Sequence, residues 1–324
     1  MVLVTGATGF LGSELAKQLA VAGYKLVCIK RATSVIPAIL EPYAPHITWL
    51  NADILDVFAL DEALQGITQV YHCAAWVSFN PSHKKLMIKT NVEGTANLVN
   101  LCNQYNIRLL HVSSIAAIGE AKPGELITEN NHLEETPHEN GYAISKYESE
   151  MEVWRGIAEG LNAVIVNPSL IIGAQAGKTG TGKIFETVHQ GLKYYTTGSC
   201  GLVDVEDVAG SMIQLMNTNI ESQRFIVNAE NWSYKAIVTE AAQNFKVAPP
   251  QKEAKPWLLN AAWRLSALWG FLSGKQKGID KISAQASSKT LNYSNTKLTK
   301  AIGIHFKPIS LSIKQICSQL IATT

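Results

Sequence analysis

Short apolar runs alternate with amphipathic stretches along the first half of the chain. Val2–Thr5, Leu26–Ile29, Ile47–Leu50, Gln69–Cys73, Arg108–Val112 and Ala163–Val166 are continuous and rich in Val, Ile and Leu. Strands buried on both faces have this pattern, whereas half-exposed strands alternate apolar and polar positions. Between them, Leu11–Ala22, Val57–Leu64, Leu86–Gln104 and Tyr142–Glu159 carry apolar residues at helical spacing. The βαβα rhythm predicts an α/β fold, a doubly wound parallel sheet with helices on both faces.

After Pro168 the rhythm breaks. Gly173–Gly182 is a loop rich in Gly, Lys and Thr, and Leu202–Val205 and Arg224–Asn228 are further strand candidates. The remainder is mostly helical. The expected organisation is a sheet lobe of residues 1–168 plus about 200–228, and a smaller C-terminal lobe of 169–199 and 229–324. Within that lobe, Trp257–Leu272 is apolar except for a narrow stripe of Asn260 and Arg264. A surface helix has a wider polar face. Three readings stay open: burial in the lobe's own core, an apolar wall over a cleft, and contact with a membrane surface, helped by Lys275, Lys277 and Lys281. Ser273–Thr299, rich in Asn, Lys and Ser, is expected to be solvated.

Composition narrows the function classes. Charged residues are 17% of 324, with 28 basic against 26 acidic, so no nucleic-acid footprint is present. The five cysteines (28, 73, 102, 200 and 317) have no metal or disulfide spacing, and His132 and His138 match no metal pattern and are expected at the surface. No metal is expected. The chain opens directly on a strand and holds no run of 18 apolar residues, which makes a cytoplasmic location the default expectation. Gly177–Lys183 nearly spells a phosphate-binding GxxxxGK[ST] loop, but Ile184 stands where the metal-binding hydroxyl is required.

The strongest chemical signal is the turn after the first strand, Gly6-Ala7-Thr8-Gly9-Phe10-Leu11-Gly12. Gly6 permits a tight turn, Gly9 lets backbone approach a pyrophosphate, and Gly12 lets helix and strand pack closely. The following helix N-terminus offers N–H groups and positive dipole to phosphates. The spacing is GxxGxxG rather than GxGxxG. An acidic residue about 20 residues on commonly holds the ribose 2′-OH of NAD. Here the second strand ends in Lys30-Arg31, two cations that suit a 2′-phosphate, so NADP(H) is expected ahead of NAD(H). Asp53, after the third strand, is placed to accept from an adenine amine.

Tyr142 and Lys146 lie at i and i+4 on one helix face, downstream of a strand ending in Ser113-Ser114. Free tyrosine has a pKa near 10, and lowering it to about 7 takes roughly 4 kcal/mol. A lysine ammonium and an oxidised nicotinamide ring together could supply that in a partly dry site, leaving Tyr142 able to exchange a proton with a substrate oxygen. The YxxxK spacing alone is weak, since a second match, Tyr293 to Lys297, occurs without context in the C-terminal tail.

Taken in order, Thr5–Gly12, Asp53, His72–Ala75, Asn91–Thr95, Ser113-Ser114, Tyr142–Lys146, Asn167–Ser169 and Val203–Ala209 resemble the extended short-chain dehydrogenase/reductase superfamily, the NAD-dependent epimerase/dehydratase family. The turn Thr5–Gly12 and Asn167-Pro168-Ser169 look most like its dihydroflavonol-reductase and 3β-hydroxysteroid-dehydrogenase branch. The resemblance implies a Rossmann lobe, a substrate lobe, and a catalytic Ser114, Tyr142 and Lys146, with Ser114 chosen because it stands five residues before Gly119. It implies a cofactor cradle of Gly6, Thr8, Gly9, Phe10, Leu11, Gly12, Lys30, Arg31, Asp53, Ile54, Cys73, Ala74, Ala75, Asn91, Tyr142, Lys146, Pro168 and Ser169. Lys146 would hold the nicotinamide ribose, and Pro168 and Ser169 would line the nicotinamide face. Asn91 would serve a water-linked proton relay or the helix structure. The implied activity is alcohol–ketone interconversion on a largely apolar small molecule. A nucleotide-sugar epimerase or dehydratase with tightly held NAD is the alternative. Only Arg224 and Arg264 follow Pro168, which weighs against a sugar diphosphate, while Lys178, Lys183 and Lys193 keep it open. A homodimer through Leu86–Gln104 and Tyr142–Glu159 is a family expectation.

Overall fold

The structure, a computed structural model, describes residues 1–78, 80–133, 140–255, 257 and 287–322. The six expected strands form as β1 (Val2–Thr5), β2 (Leu26–Lys30), β3 (Ile47–Asn51), β4 (Gln69–His72), β5 (Arg108–Val112) and β6 (Ala163–Pro168). The connecting helices are α1 (Phe10–Val21), α2 (Val57–Ala63), α3 (Lys84–Gln104) and α4 (Gly141–Ala158). Beyond β6 follow β7 (Leu170–Ile172), α5 (Gly182–His189), β8 (Tyr194–Tyr195), β9 (Ser199–Asp204), α6 (Val205–Met216), β10 (Gln223–Val227), β11 (Glu230–Ser233), α7 (Tyr234–Phe245), β12 (Lys252–Glu253), α8 (Thr296–Ile302) and α9 (Ile309–Ala322).

Seven strands make the large sheet, in the order β10-β6-β5-β4-β1-β2-β3, with every neighbouring pair parallel. It is a Rossmann-like α/β fold. The apolar runs of the sequence are explained by burial on both faces: Leu15 and Leu19 of α1 join Met212 and Leu215 of α6 in the core on one side. Leu60 of α2, Leu98 and Leu101 of α3 and Val153 of α4 fill the other. The chain runs outward from β1 through β2 to β3, then returns to place β4 on the other flank of β1. That reversal opens a crevice beyond the carboxyl ends of β1 and β4, where ligands bind in open α/β sheets.

The expected strand Leu202–Val205 is Ser199–Asp204, and it lies outside the large sheet, between β7 and β11 in a three-stranded sheet. Val205 instead opens α6, because the Asp204 carboxylate caps that helix by accepting from Glu206 N at 2.9 Å. The chain re-enters the large sheet with β10. A separate apolar cluster joins Phe185 and Val188 of α5, Ile237 and Phe245 of α7, and Ile313 and Ile316 of α9.

The expectation of a solvated Ser273–Thr299 holds at Ser288, Lys289, Thr290, Thr296 and Thr299, which are exposed, and fails at Tyr293 and Leu298. Tyr293 is 6% exposed and Leu298 fully buried. Side-chain amides of Asn228 and Asn231 donate to the Tyr293 carbonyl at 3.2 and 2.9 Å. From within the segment, the Asn295 amide donates in turn to the Asn228 and Ala229 carbonyls at 3.0 and 3.3 Å, so it satisfies non-regular backbone. Most of the apolar segment 257–272 and His138 lie outside the described residues. Trp257 and His132 are exposed. The Gly-rich loop is tied to the sheet lobe by Gln175, whose amide donates to the buried Glu14 carboxylate of α1 at 2.8 Å.

Candidate active site

The glycine turn sits at the crevice. Gly6 has φ +69°, in the left-handed region, and a Cβ there would stand 2.7 Å from the Ala74 backbone nitrogen. Only glycine therefore lets β1 turn against the end of β4. A Cβ on Gly12 would run into the Gly6 carbonyl, so helix and turn pack backbone to backbone. Gly9 caps α1 without a side-chain acceptor, and the first turn holds no acidic residue. The free N–H groups and the dipole of α1 are left for an anion. Phe10, half-buried, reaches toward Gly173 at the start of the Gly-rich loop, and Thr8 and Leu11 are likewise half-buried.

The residues after β4 are held on both sides. The Thr5 hydroxyl accepts from Ala74 N at 3.1 Å and meets His72 Nδ1 at 2.8 Å. The other His72 nitrogen meets the Thr95 hydroxyl at 3.1 Å, and that hydroxyl donates to the Asn91 carbonyl at 2.7 Å. Burial and the Lys146 charge push the His72 pKa down to about 3, so the ring is a neutral strut. Asn91 accepts from Trp76 N at 2.7 Å, donates to Trp76 O at 3.0 Å and donates to Ser145 Oγ at 3.2 Å. Its side chain is thus a clasp between the β4 loop and α4. Cys73, Ala74 and Ala75 lie half-buried between these anchors.

Tyr142, Lys146, Ser113 and Ser114 come together where α4 crosses the end of β5. The Lys146 ammonium donates to the Val112 carbonyl at 2.9 Å. Burial pushes its pKa down to about 8, with Cys73 and Glu150 acting upward. The two serines divide. Ser113 turns inward and donates to Glu150 Oε2 at 2.6 Å. Ser114 accepts from Ala116 N at 3.1 Å and hydrogen-bonds with Tyr142. Burial raises the Tyr142 pKa and the Ser114 contact lowers it, with burial the larger effect. The protein alone therefore does not bring Tyr142 toward neutrality. Of the two cationic contributions the sequence reading invoked, Lys146 is engaged with Val112, and the second has to arrive with a cofactor.

Elsewhere the sequence candidates have local partners. The Asp53 carboxylate accepts from Leu55 N at 3.0 Å, an Asx turn, and Asn97 of α3 donates to Ile54 O at 3.0 Å. Lys30 donates to Asn51 at 3.2 Å across β2 and β3, and Arg31 beside it is exposed. Pro168 ends β6 opposite Val227. Ser169 donates its N–H to Val227 O at 3.0 Å, while its hydroxyl is buried with no hydrogen-bond partner among the described residues.

Sequence reasoning missed two features. Glu150 is fully buried and accepts from Ser113, Asn167, Trp154 and Arg224. Its one sequence signal was its place four residues after Lys146. Tyr293, set aside as a tail residue, packs its ring against Gly201, where a Cβ would touch both that ring and Ser169.

These features fit a dinucleotide: a turn that excludes Cβ atoms, a helix N-terminus without its own cap, small residues beyond β4, and an unpartnered buried hydroxyl at Ser169. Comparison with known proteins agrees. The chain is 29% identical over 309 residues to a putative dihydroflavonol 4-reductase of Synechocystis, covering 93% of this chain and 89% of that protein. It is 30% identical over 245 residues to sterol demethylase protein B of Methylococcus capsulatus, covering 73% and 72%. Its fold matches the UDP-glucose 4-epimerase of Thermus thermophilus solved with NAD, with TM-score 0.77, 21% identity, and 100% and 99% of the chains covered. The model of the NAD dependent epimerase/dehydratase family matches residues 2–228, and the chain belongs to that family of enzymes.

Proposed function

We propose that the protein is an oxidoreductase that interconverts a secondary alcohol and a ketone on a largely apolar small molecule, with NADP(H) preferred over NAD(H). The observation that carries this reading is the convergence of Ser114, Tyr142 and Lys146 beside the crevice bounded by the glycine turn. The turn Gly6–Gly12 and the N-terminus of α1 would hold the pyrophosphate, and Ala74, Ala75, Pro168 and Ser169 the nicotinamide end. A bound nicotinamide nucleotide supplies or accepts the hydride.

The chain's own residues manage the proton. In ketone reduction Tyr142 donates its phenolic proton to the oxygen that becomes the alcohol, and in oxidation it takes that proton back. Ser114, hydrogen-bonded with Tyr142, directs the same oxygen. The Lys146 ammonium, fixed by Val112 O, sets positive charge near the developing phenolate.

Several observations support an uncharged substrate. Arg224 is spent on Glu150 and on the carbonyls of Glu129 and Asn131, so it does not face a diphosphate. Arg264 lies outside the described residues. Two relatives are named for a dihydroflavonol and a sterol. Lys30 and Arg31 at the end of β2 support NADP(H). We further place the enzyme in the cytoplasm, which its five unpaired cysteines suit. Among the described residues no helix is long and apolar enough to cross a membrane.

The test is a competition of aryl and steroid-like ketones against UDP-hexoses, followed by NADPH absorbance and product analysis. Turnover of an apolar ketone is expected. Turnover of a nucleotide sugar, with none of any apolar ketone, would establish the epimerase reading in its place.

A further inference from the structure

Three consecutive residues at the end of β5 are each gripped by a different side chain. Lys146 donates to Val112 O at 2.9 Å. Glu150 accepts from Ser113 Oγ at 2.6 Å. Asn167 of β6 donates to Ser114 O at 3.0 Å and to the same Glu150 oxygen at 2.8 Å. Lys146 and Glu150 are one helical turn apart on α4 and thus share a face. The second Glu150 oxygen accepts from Trp154 at 3.2 Å and from Arg224 Nη1 at 3.1 Å, where the Glu150 side chain is 0% and the Arg224 side chain 10% exposed. Arg224 also donates to the carbonyls of Glu129 and Asn131, on the segment that leads toward α4. Taking a carboxylate out of water is costly, and Ser113, Asn167, Trp154 and Arg224 offset that cost by satisfying both Glu150 oxygens.

We propose that Glu150 is a positioning residue of this site: it holds Ser113 and, through Asn167, Ser114 in place against Tyr142, and it keeps Lys146 an ammonium, with Arg224 as its own countercharge. The catalytic part of this inference rests on the reading that Ser114, Tyr142 and Lys146 carry the chemistry. The groups facing Lys146 leave Glu150 this task. His72 from β4 and His111 from β5 are kept neutral by burial. Burial pushes the Cys73 thiol up to about 12 and also raises Tyr142. Among the described residues, the Glu150–Arg224 pair is therefore the charge that can tune Lys146 near pH 8.

The two members of the pair act with opposite sign. Removing the carboxylate in Glu150→Gln leaves Arg224 uncompensated and should lower the Lys146 midpoint by roughly one pH unit. Removing the guanidinium in Arg224→Met frees the carboxylate to favour the ammonium and should raise it by a similar amount. The midpoint is read by NMR of isotope-labelled lysine side chains in the full chain, with Lys146 assigned from the Lys146→Arg variant. The high-pH limb of ketone turnover should move the same way in each variant. Circular dichroism identifies which variants fold, and either one suffices. A folded variant whose Lys146 midpoint equals that of the wild type, or moves opposite to these signs, overturns the proposal. If the wild type reduces no ketone with either cofactor, the functional reading fails while the lysine titration still decides the role of Glu150.

Discussion

At the residue scale, the burdens on two tyrosines separate chemistry from packing. Tyr142 stands against Ser114 on the helix that carries Lys146, whereas Tyr293 packs with Ile118, Ile127 and Ile226 and lends its backbone carbonyl to Asn228 and Asn231. Tyr142→Phe should keep cofactor binding and lose turnover by at least about 10²-fold, because the ring still packs but no proton can move. Tyr293→Phe should leave turnover within a few fold. Steady-state rates with calorimetric cofactor affinities check both, and a near-normal rate for Tyr142→Phe removes Tyr142 from the mechanism. Burial also raises the Tyr142 pKa. A wild-type enzyme titrated by ultraviolet absorbance should therefore yield tyrosinate at lower pH with oxidised than with reduced nucleotide, since only the oxidised ring brings positive charge.

At the element scale, the proposed function divides the cofactor between the glycine turn and the end of β2. Gly6 and Gly23 both have positive φ, +69° and +83°, but only the Gly6 Cβ would meet other backbone. Gly23→Ala should cost about 1–2 kcal/mol of stability from strain alone. Gly6→Ala should also displace the Ala74 backbone and weaken nucleotide binding, which denaturant melts and calorimetry distinguish. Arg31→Ala should narrow the NADPH-over-NADH gap by about 1 kcal/mol or more, and equal dissociation constants for the two in the wild type would end the 2′-phosphate assignment. The strands β1, β2, β4, β5 and β6 were legible because burial on both faces writes a continuous apolar run, and the edge strand β3, buried only at Ile47, was legible from Ile47, Trp49 and Leu50. The strands β7, β8 and β12 were not, being two or three residues long, and the four-residue β11, Glu-Asn-Trp-Ser, carries no apolar run. The start of α6 was misplaced by one residue because Leu202-Val203-Asp204-Val205 reads as a continuing strand until the Asp204 cap is seen. Glu150 was hidden among Glu148 and Glu152, three acids on one helix of which only the structure shows which faces inward.

At the scale of the whole molecule, two neutral imidazoles sit at the centre of the large sheet. The His72 and His111 rings lie tilted at 46° with centroids 5.2 Å apart, and both His111 nitrogens are buried without hydrogen-bond partners among the described residues. Burial depresses both pKa values, His72 to about 3 against an ordinary 6.5 and His111 well below it. Depressed values mean that the unfolded chain binds protons the folded one refuses. Their contribution is complete above pH 6.5 and is lost as pH falls toward about 3. Urea midpoints should therefore decline from pH 7 to pH 4, and His111→Phe should flatten that decline without loss of stability at pH 7. The ion pair of Glu150 with Arg224 reaches across 74 positions of sequence. During synthesis the chain emerges from its N-terminus. Helix α4 and its carboxylate therefore leave the ribosome long before the guanidinium that neutralises them. The sheet can gather β1 to β6 in that interval, but its edge and the underside of the site wait for β10. Translation itself thus makes Ser114, Tyr142, Lys146 and Glu150 before Arg224, the residue that balances the Glu150 charge.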